Sequence, residues 1–344
     1  MVKRFAPLLF CAAGLLVLIL DTQTALAGVS EGISICIYTV IPSLFPFIFI
    51  SSLLVNQLIG KNFILLSRLG KVLRIPKGSE VFLLVGLLGG YPTGALCIAD
   101  NYRAGNIKKG QAEQLLGFCN NAGPAFIFGM ASSMFAGLIP WALWGIHIAS
   151  ALITALILPK QDDTPVIAAG NQTFSLTSAL NHSIKAMATV CGWVILFRIL
   201  ISFFSRWFLW LLPEVVQCIL IGAIELSNGC CNLVRIDSSM LRFILFSALL
   251  SVGGICITMQ TRSAAEALSM QWYIIGKIIQ CFLSVLFCVL LLPVLFPDEI
   301  SIRECIYPAT LLLGVLIAIK LTLMKKTVAF PKWLIYNKEK ASKG

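Results

Sequence analysis

Gly89-Gly90-Tyr91-Pro92-Thr93-Gly94-Ala95 lies inside an apolar run, Val81 to Ala99, and the reading of the whole chain turns on it. A second stretch of the same kind, Asn120-Asn121-Ala122-Gly123-Pro124, follows after a short charged loop. Glycine removes side-chain bulk and proline removes a backbone donor, so stretches this rich in them break a helix and free its N–H and C=O groups. Hydrocarbon cannot solvate those groups. The break is tolerated only where protein buries it or where it lines a wet cavity. If the chain crosses a membrane, these breaks are its candidate binding site.

Composition puts it in the membrane. The 344 residues are 58% hydrophobic and only 12% charged, with a mean hydropathy of +0.93. That excludes a soluble domain and fits several apolar runs approaching the roughly 20 residues a crossing helix needs. The net charge of +11 sits in short loops and tails between those runs. It therefore reads as orientation by the positive-inside rule, with the lipid bilayer as partner and no nucleic acid. Twelve cysteines are scattered mostly through apolar runs without a C-x-x-C pair and read as small core residues. No metal site or cofactor is expected. The chain lacks H-E-x-x-H and P-loop motifs and a second acid at membrane depth, so it is not read as an enzyme.

Lys3 and Arg4 precede the apolar run Phe5 to Leu20, and Ala25-Leu26-Ala27 follows. This outline suits both a cleavable signal peptide and an uncleaved first span, and the uncleaved span is expected. The second span, Ile33 to Val55, holds Pro42 and Pro46 and should kink. Lys61, Arg68, Lys71, Arg74 and Lys77 then make a basic amphipathic connector on the cytoplasmic face. Val81 to Ala99 is flanked by this connector and by Arg103, Lys108 and Lys109, which implies a re-entrant hairpin turning at Gly89 to Gly94.

Leu115 to Phe135 goes outward through the second break, and Trp141 to Leu158 returns. The polar loop Lys160 to His182 divides the chain. Ser183 to Phe204 runs outward, Val215 to Asn232 is a second hairpin interrupted across the stretch Gly222 to Gly229 that holds Glu225, and Phe243 to Gln260 returns through Gly253-Gly254. Trp272 to Phe296 and Tyr307 to Leu323 complete the spans, and both termini are cytoplasmic. This topology leaves Arg206, Arg235, Arg242 and Arg303 outside and Arg198 and Lys277 within spans. The other 20 of the 26 basic residues are inside.

The halves share an order of parts: a span, an interrupted hairpin, then a span broken by small residues. With opposite orientations this is the inverted-repeat plan of secondary transporters, whose paired breaks meet near the midplane. The expected fold is an all-α polytopic membrane protein. Residues 1–30 form a first span and outer loop, 31–137 the first repeat, 138–182 a connecting span and loop, 183–262 the inverted second repeat, 263–324 two further spans and 325–344 a basic tail.

Gly-Gly-Tyr91-Pro92-Thr93-Gly-Ala, Asn120-Asn121-Ala-Gly-Pro124 and Glu225-Leu-Ser-Asn228-Gly together resemble the sporulation integral membrane proteins of the YlbJ type, which carry a nucleoside-recognition (Gate) domain. The resemblance runs from the first span to the last, closer in the first half. It implies a hairpin-and-broken-helix transport core in the inner (plasma) membrane and a link to sporulation and spore cortex formation. The substrate-binding residues of the related nucleoside transporters have no position-by-position match here.

Among the acids, Glu225 is the one placed deep in an apolar segment, where an ionisable group costs about 2.5–3.5 kcal/mol and usually pairs, binds an ion or carries a proton. It reads either as an ion-coupling or solute-binding group or as a structural partner of Arg198. Gly90, Tyr91, Pro92, Thr93, Gly94, Asn120, Asn121, Gly123, Ser227, Asn228 and Gly253 complete the candidate substrate-binding set. Their polar members equally suit helix capping and their glycines close packing. Tyr91 either stacks on a base or closes the hairpin tip. His147 and His182 are structural or solvated, and Arg198 and Lys277 snorkel if near a surface. The expected function is transport of a small polar solute, nucleoside-like or an ion. The alternative is a non-transporting scaffold of the sporulation machinery, and a homo-oligomer is compatible with either.

Overall fold

The computed structural model describes residues 2–59, 61, 64–73, 75–159 and 175–324, and all regular structure among them is helical. Asp21 separates α1 (Val2–Leu20) from α2 (Thr22–Ile35) and caps the latter, its Oδ1 accepting from the Thr24 N–H at 3.4 Å. A π turn (Cys36–Val40) joins α2 to α3 (Ile41–Leu58). There the Ile41 N–H reaches back five residues to the Cys36 carbonyl. The extra residue resets the ladder immediately before Pro42, which has no N–H to contribute. The expected proline kink is thus an inserted residue within a continuous helix.

That helix starts at Thr22 rather than Ile33, which corrects the outer loop expected before it. The reason lies in its partner, α10 (Leu176–Trp207). A Cβ on Gly28 would lie 2.9 Å from Ile199 Cα, and one on Gly32 2.9 Å from Ile195 Cα, so the two backbones approach closely along this glycine face. Arg206 Nε pairs with Asp21 at 3.0 Å, and Arg198 pairs with Glu31, along the same seam. Helix α10 begins at Leu176, with Ser175 Oγ accepting from the Ser178 N–H at 3.2 Å. The end of the expected polar divider is therefore helical. Its residues 160–174, like the basic tail 325–344, lie outside the described residues.

The first half continues through α4 (Ile64–Val72), α5 (Val81–Leu88), α6 (Thr93–Arg103), α7 (Lys109–Leu116), α8 (Pro124–Ala131) and α9 (Ile139–Ile157). The second holds α11 (Glu214–Ile224), α12 (Leu226–Asn232), α13 (Ser239–Val252), α14 (Gly254–Ala264), α15 (Gln271–Leu295) and α16 (Ile302–Met324). Among the described residues six stretches are long and apolar enough to cross a bilayer: Thr22–Val55, Ile139–Ile157, Leu176–Trp207, Ser239–Ala264, Gln271–Leu295 and Ile302–Met324. The chain is a multi-pass membrane protein. Exposed Leu311, Leu313, Ile317 and Leu321 on α16 are the kind of surface acyl chains cover.

Lipid is as apolar as leucine, so burying leucine drives little helix association inside a bilayer; close packing and polar contacts must do it. The two interrupted segments illustrate this. α5 and α6 pack on one another, as do α11 and α12. A Cβ on Gly86 or Gly94 would overlap the carbonyl oxygen of Cys119, and Gly94 lies against Gly86 itself. In the second half a Cβ on Gly229 would overlap the backbone of Gly222, and one on Gly254 would lie 2.8 Å from the Gly222 carbonyl. Each pair of arms therefore crosses glycine on glycine, with a broken segment pressed onto the crossing.

The second interruption falls inside the expected stretch, Gly222 to Gly229. Gly222 and Gly229 both stay helical, and the break falls at Glu225, whose φ of −143° and ψ of 122° are extended. Here glycine makes room for a neighbouring helix instead of breaking its own.

Candidate functional site

Four breaks converge. In the first, Gly90 has φ +78°, a conformation that favours glycine, and Thr93 Oγ1 donates to the Gly89 carbonyl at 2.9 Å, holding the turn. The second is the non-helical stretch between α7 and α8. A Cβ on Gly123 there would lie 3.0 Å from Gly90 Cα, so the first two breaks touch. The third is Glu225. The fourth is Gly253-Gly254, with φ of +74° and +78° between α13 and α14.

The polar groups of the second break are engaged inside the protein. Asn120 Oδ1 accepts from the Ala95 N–H at 3.3 Å while its Nδ2 donates to Thr261 Oγ1 at 2.9 Å, tying the first half to α14. Asn121 Nδ2 donates to the Phe118 carbonyl at 2.7 Å, and the Ala122 N–H donates to His147 Nε2 at 3.1 Å. His147 is buried on α9 and serves as a neutral acceptor, which makes it structural.

Glu225 is buried and caps α12. Its Oε1 accepts from the Ser227 N–H at 3.0 Å, and its Oε2 accepts from both the N–H and the Nδ2 of Asn228 at 2.7 Å. Negative charge at a helix N-terminus with N–H donors is a favourable arrangement. The pairing with Arg198 is not formed, because Arg198 turns to Glu31 on α2. Glu31 is accordingly a second acid within a crossing helix, where the sequence had placed a loop.

A cavity of about 40 Å³ lies between the tips, lined by Tyr91, Gly123 and Phe126 from the first half and Glu225, Ser227 and Gln260 from the second, with Ser43 of α3 at its side. Four of the expected site residues, Tyr91, Gly123, Glu225 and Ser227, line it. Gly90, Thr93, Gly94, Asn120, Asn121, Asn228 and Gly253 stand behind them as turn formers, caps and braces, and Pro92 lines a neighbouring cleft. That cleft, of about 180 Å³, shares Gln260 and Val190 with the cavity and opens among Arg103, His182 and Lys185. His182 also borders a third space of about 240 Å³ and pairs with Asp100 at 3.1 Å. Asp100 pairs with Arg103 as well, so an acid offsets the basic groups at the mouth of the cleft.

The largest departure from the sequence reading is Lys277. Instead of snorkelling, its side chain is buried on α15. Nζ contacts Tyr91 Oη at 3.0 Å, the Asn120 carbonyl at 2.6 Å, Asn121 Oδ1 at 3.2 Å and Gln280 Oε1 at 2.8 Å. It also lies 4.9 Å from the centroid of the Tyr91 ring. Tyr91 donates in turn to the Leu250 carbonyl at 3.1 Å, and Gln280 Nε2 to Asn121 Oδ1 at 3.0 Å. Tyr91 thus closes the hairpin tip. Below this cluster the hydroxyls of Ser150, Ser284 and Ser251 form a chain from α9 through α15 to α13, with steps of 2.9 and 2.6 Å. A signal was present: Lys277, Gln280 and Ser284 recur at i, i+3 and i+7, as do His147, Ser150 and Thr154, each a polar stripe on an apolar helix.

Comparison with known proteins gives one partial likeness. The chain is 31% identical over 131 residues to the sporulation integral membrane protein YlbJ of Bacillus subtilis (strain 168), a stretch covering 38% of this chain and 31% of that protein. The chain thus matches under a third of that relative's length. No family description and no solved structure matches the chain.

Proposed function

We propose that this protein moves a small polar solute across the inner (plasma) membrane by alternating access, with a Gate-type core. In this reading α5–α6 and α11–α12 are re-entrant hairpins, each leaving the bilayer by the face it entered. Residues 31–137 and 183–262 are then two inverted repeats, and both termini are cytoplasmic. The observation that carries the reading is that interrupted segments from both halves line one small, largely apolar cavity, with Tyr91 and Gly123 from the first half and the polar Glu225 and Ser227 from the second. That is where inverted-repeat transporters keep their site. The matched glycine crossings, Gly86 on Gly94 and Gly222 on Gly229, support a common plan for the two hairpins.

The solute is a nucleoside-like molecule or an ion, and Glu225 is the group that couples to an ion or accepts from the solute. About 40 Å³ accommodates roughly three waters at the volume each requires, so a larger solute needs a more open state of the same cavity. The link to sporulation rests on the relative's name, and no catalytic role is assigned.

One observation favours the alternative, a non-transporting scaffold: the cavity is small, and Tyr91 and Glu225 in its lining already hydrogen-bond within the protein. Proteoliposome flux separates the two. Against a panel of nucleosides, aromatic and aliphatic dicarboxylic acids and metal ions, transport predicts saturable uptake of one class, reduced at least tenfold in Glu225→Gln. A flat response across the panel supports the scaffold. Flux that is unchanged in Glu225→Gln leaves that residue the helix cap it already forms.

A further inference from the structure

A buried ammonium normally meets a carboxylate. All four polar contacts of Lys277 Nζ are instead uncharged oxygens, at 2.6–3.2 Å: one backbone carbonyl, two side-chain amide oxygens and one phenol. An ammonium has three protons, so four oxygens at these distances surround it rather than pair with it one by one. A shell of neutral carbonyl, amide and hydroxyl oxygens, one of them on an unwound backbone, is how proteins hold hard cations. The shell is also assembled from distant parts of the chain. Tyr91 comes from the first break, Asn120 and Asn121 from the second, and Gln280 from α15 one turn beyond the lysine.

The backbone brings α15 unusually close to this shell. A Cβ on Gly276 would overlap the Gly117 carbonyl, so the residue next to Lys277 lies directly against the start of the second break. The lysine reaches its cage because a glycine lets its helix in.

We propose that Tyr91 Oη, the Asn120 carbonyl, Asn121 Oδ1 and Gln280 Oε1 form a monovalent-cation site whose resident cation is the chain's own Lys277 ammonium. A tethered cation fills the site permanently. The fold around the breaks is then independent of dissolved sodium or potassium. The shell should accept an ion of ammonium size once the tether is cut. The inference concerns what fills the cage and holds whether or not the chain transports; its test reads stability, so its failure is distinct from a failure of the transport reading.

The experiment is thermal unfolding of the purified full chain in detergent, in choline chloride and then with potassium, ammonium or n-propylammonium added. Wild type should unfold at the same temperature in all of them. Lys277→Ala leaves a vacancy matching propylammonium and the oxygen shell around it. It should be several degrees less stable in choline and regain at least half of the loss with propylammonium, ammonium or potassium. Lys277→Met fills the same space with an apolar chain and should be destabilised without rescue.

A Lys277→Ala protein as stable as wild type in choline, or one whose loss no cation reverses, overturns the proposal. Equal rescue of Lys277→Met does the same, because the effect would then be general to salt. Should neither variant fold, wild type decides. A midpoint flat from zero to 200 millimolar potassium, on the order of a strong screening concentration, supports a site already filled. A rise specific to potassium over choline contradicts it.

Discussion

Tyr91 carries more of the site than any other residue. Its hydroxyl accepts from Lys277 and donates to the Leu250 carbonyl at the end of α13, so one side chain joins the first break to α15 and to the second half. Removing that oxygen leaves a buried carbonyl without its donor and the ammonium with one oxygen fewer. An unsatisfied buried partner costs about 1–3 kcal/mol. Tyr91→Phe is expected to lower stability by that amount, read as a fall in thermal midpoint, with the fold retained because the ring still packs. A midpoint unchanged from wild type would mean that the hydroxyl is dispensable.

The sequence was legible here only in part. Gly90, Asn120 and Glu225 stand out because a glycine, an amide or an acid inside an apolar run demands an explanation by itself. Lys277 resisted because its partners lie on three separate segments, and no local pattern states which of them meet.

At the level of elements, the glycines divide into two kinds. Gly94 and Gly229 sit where a Cβ would overlap neighbouring backbone, whereas nothing lies within 4 Å of a Cβ placed on Gly145 or Gly192. Alanine at Gly94 must displace the Cys119 carbonyl of the second break, and alanine at Gly229 must push apart the two arms α11 and α12, each an overpacking cost of about 3 kcal/mol. At Gly145 or Gly192 it should be neutral or stabilise the helix by up to about 1 kcal/mol. Thermal midpoints of the four variants test the division, and a uniform response would contradict the crossing. The same division explains why the break within Gly222 to Gly229 falls at Glu225 and at neither glycine. In sequence a helix-breaking and a helix-packing glycine look alike, and only the neighbour's position tells them apart. The seam at Gly28 and Gly32 is illegible in sequence for the same reason, whereas Pro42 marks a disturbance by itself, met by a π turn.

For the whole molecule, the membrane class and the crossing stretches follow from hydropathy, which is additive along the chain and needs no tertiary knowledge. Orientation was inferred from charge: 20 of the 26 basic residues fall on one side if, and only if, both interrupted segments turn back. The central claim is therefore that each hairpin leaves by its own entry face, the two from opposite faces. Single cysteines in a cysteine-free background, at exposed Lys77 and Ala104 flanking α5–α6 and at exposed Pro213 and Asp237 flanking α11–α12, can be labelled from each compartment with an impermeant maleimide. Lys77→Cys and Ala104→Cys should both react from the cytoplasm, and Pro213→Cys and Asp237→Cys both from the opposite side. A pair whose two members react from different compartments would make that segment a plain crossing and remove the basis for a shared site at the tips.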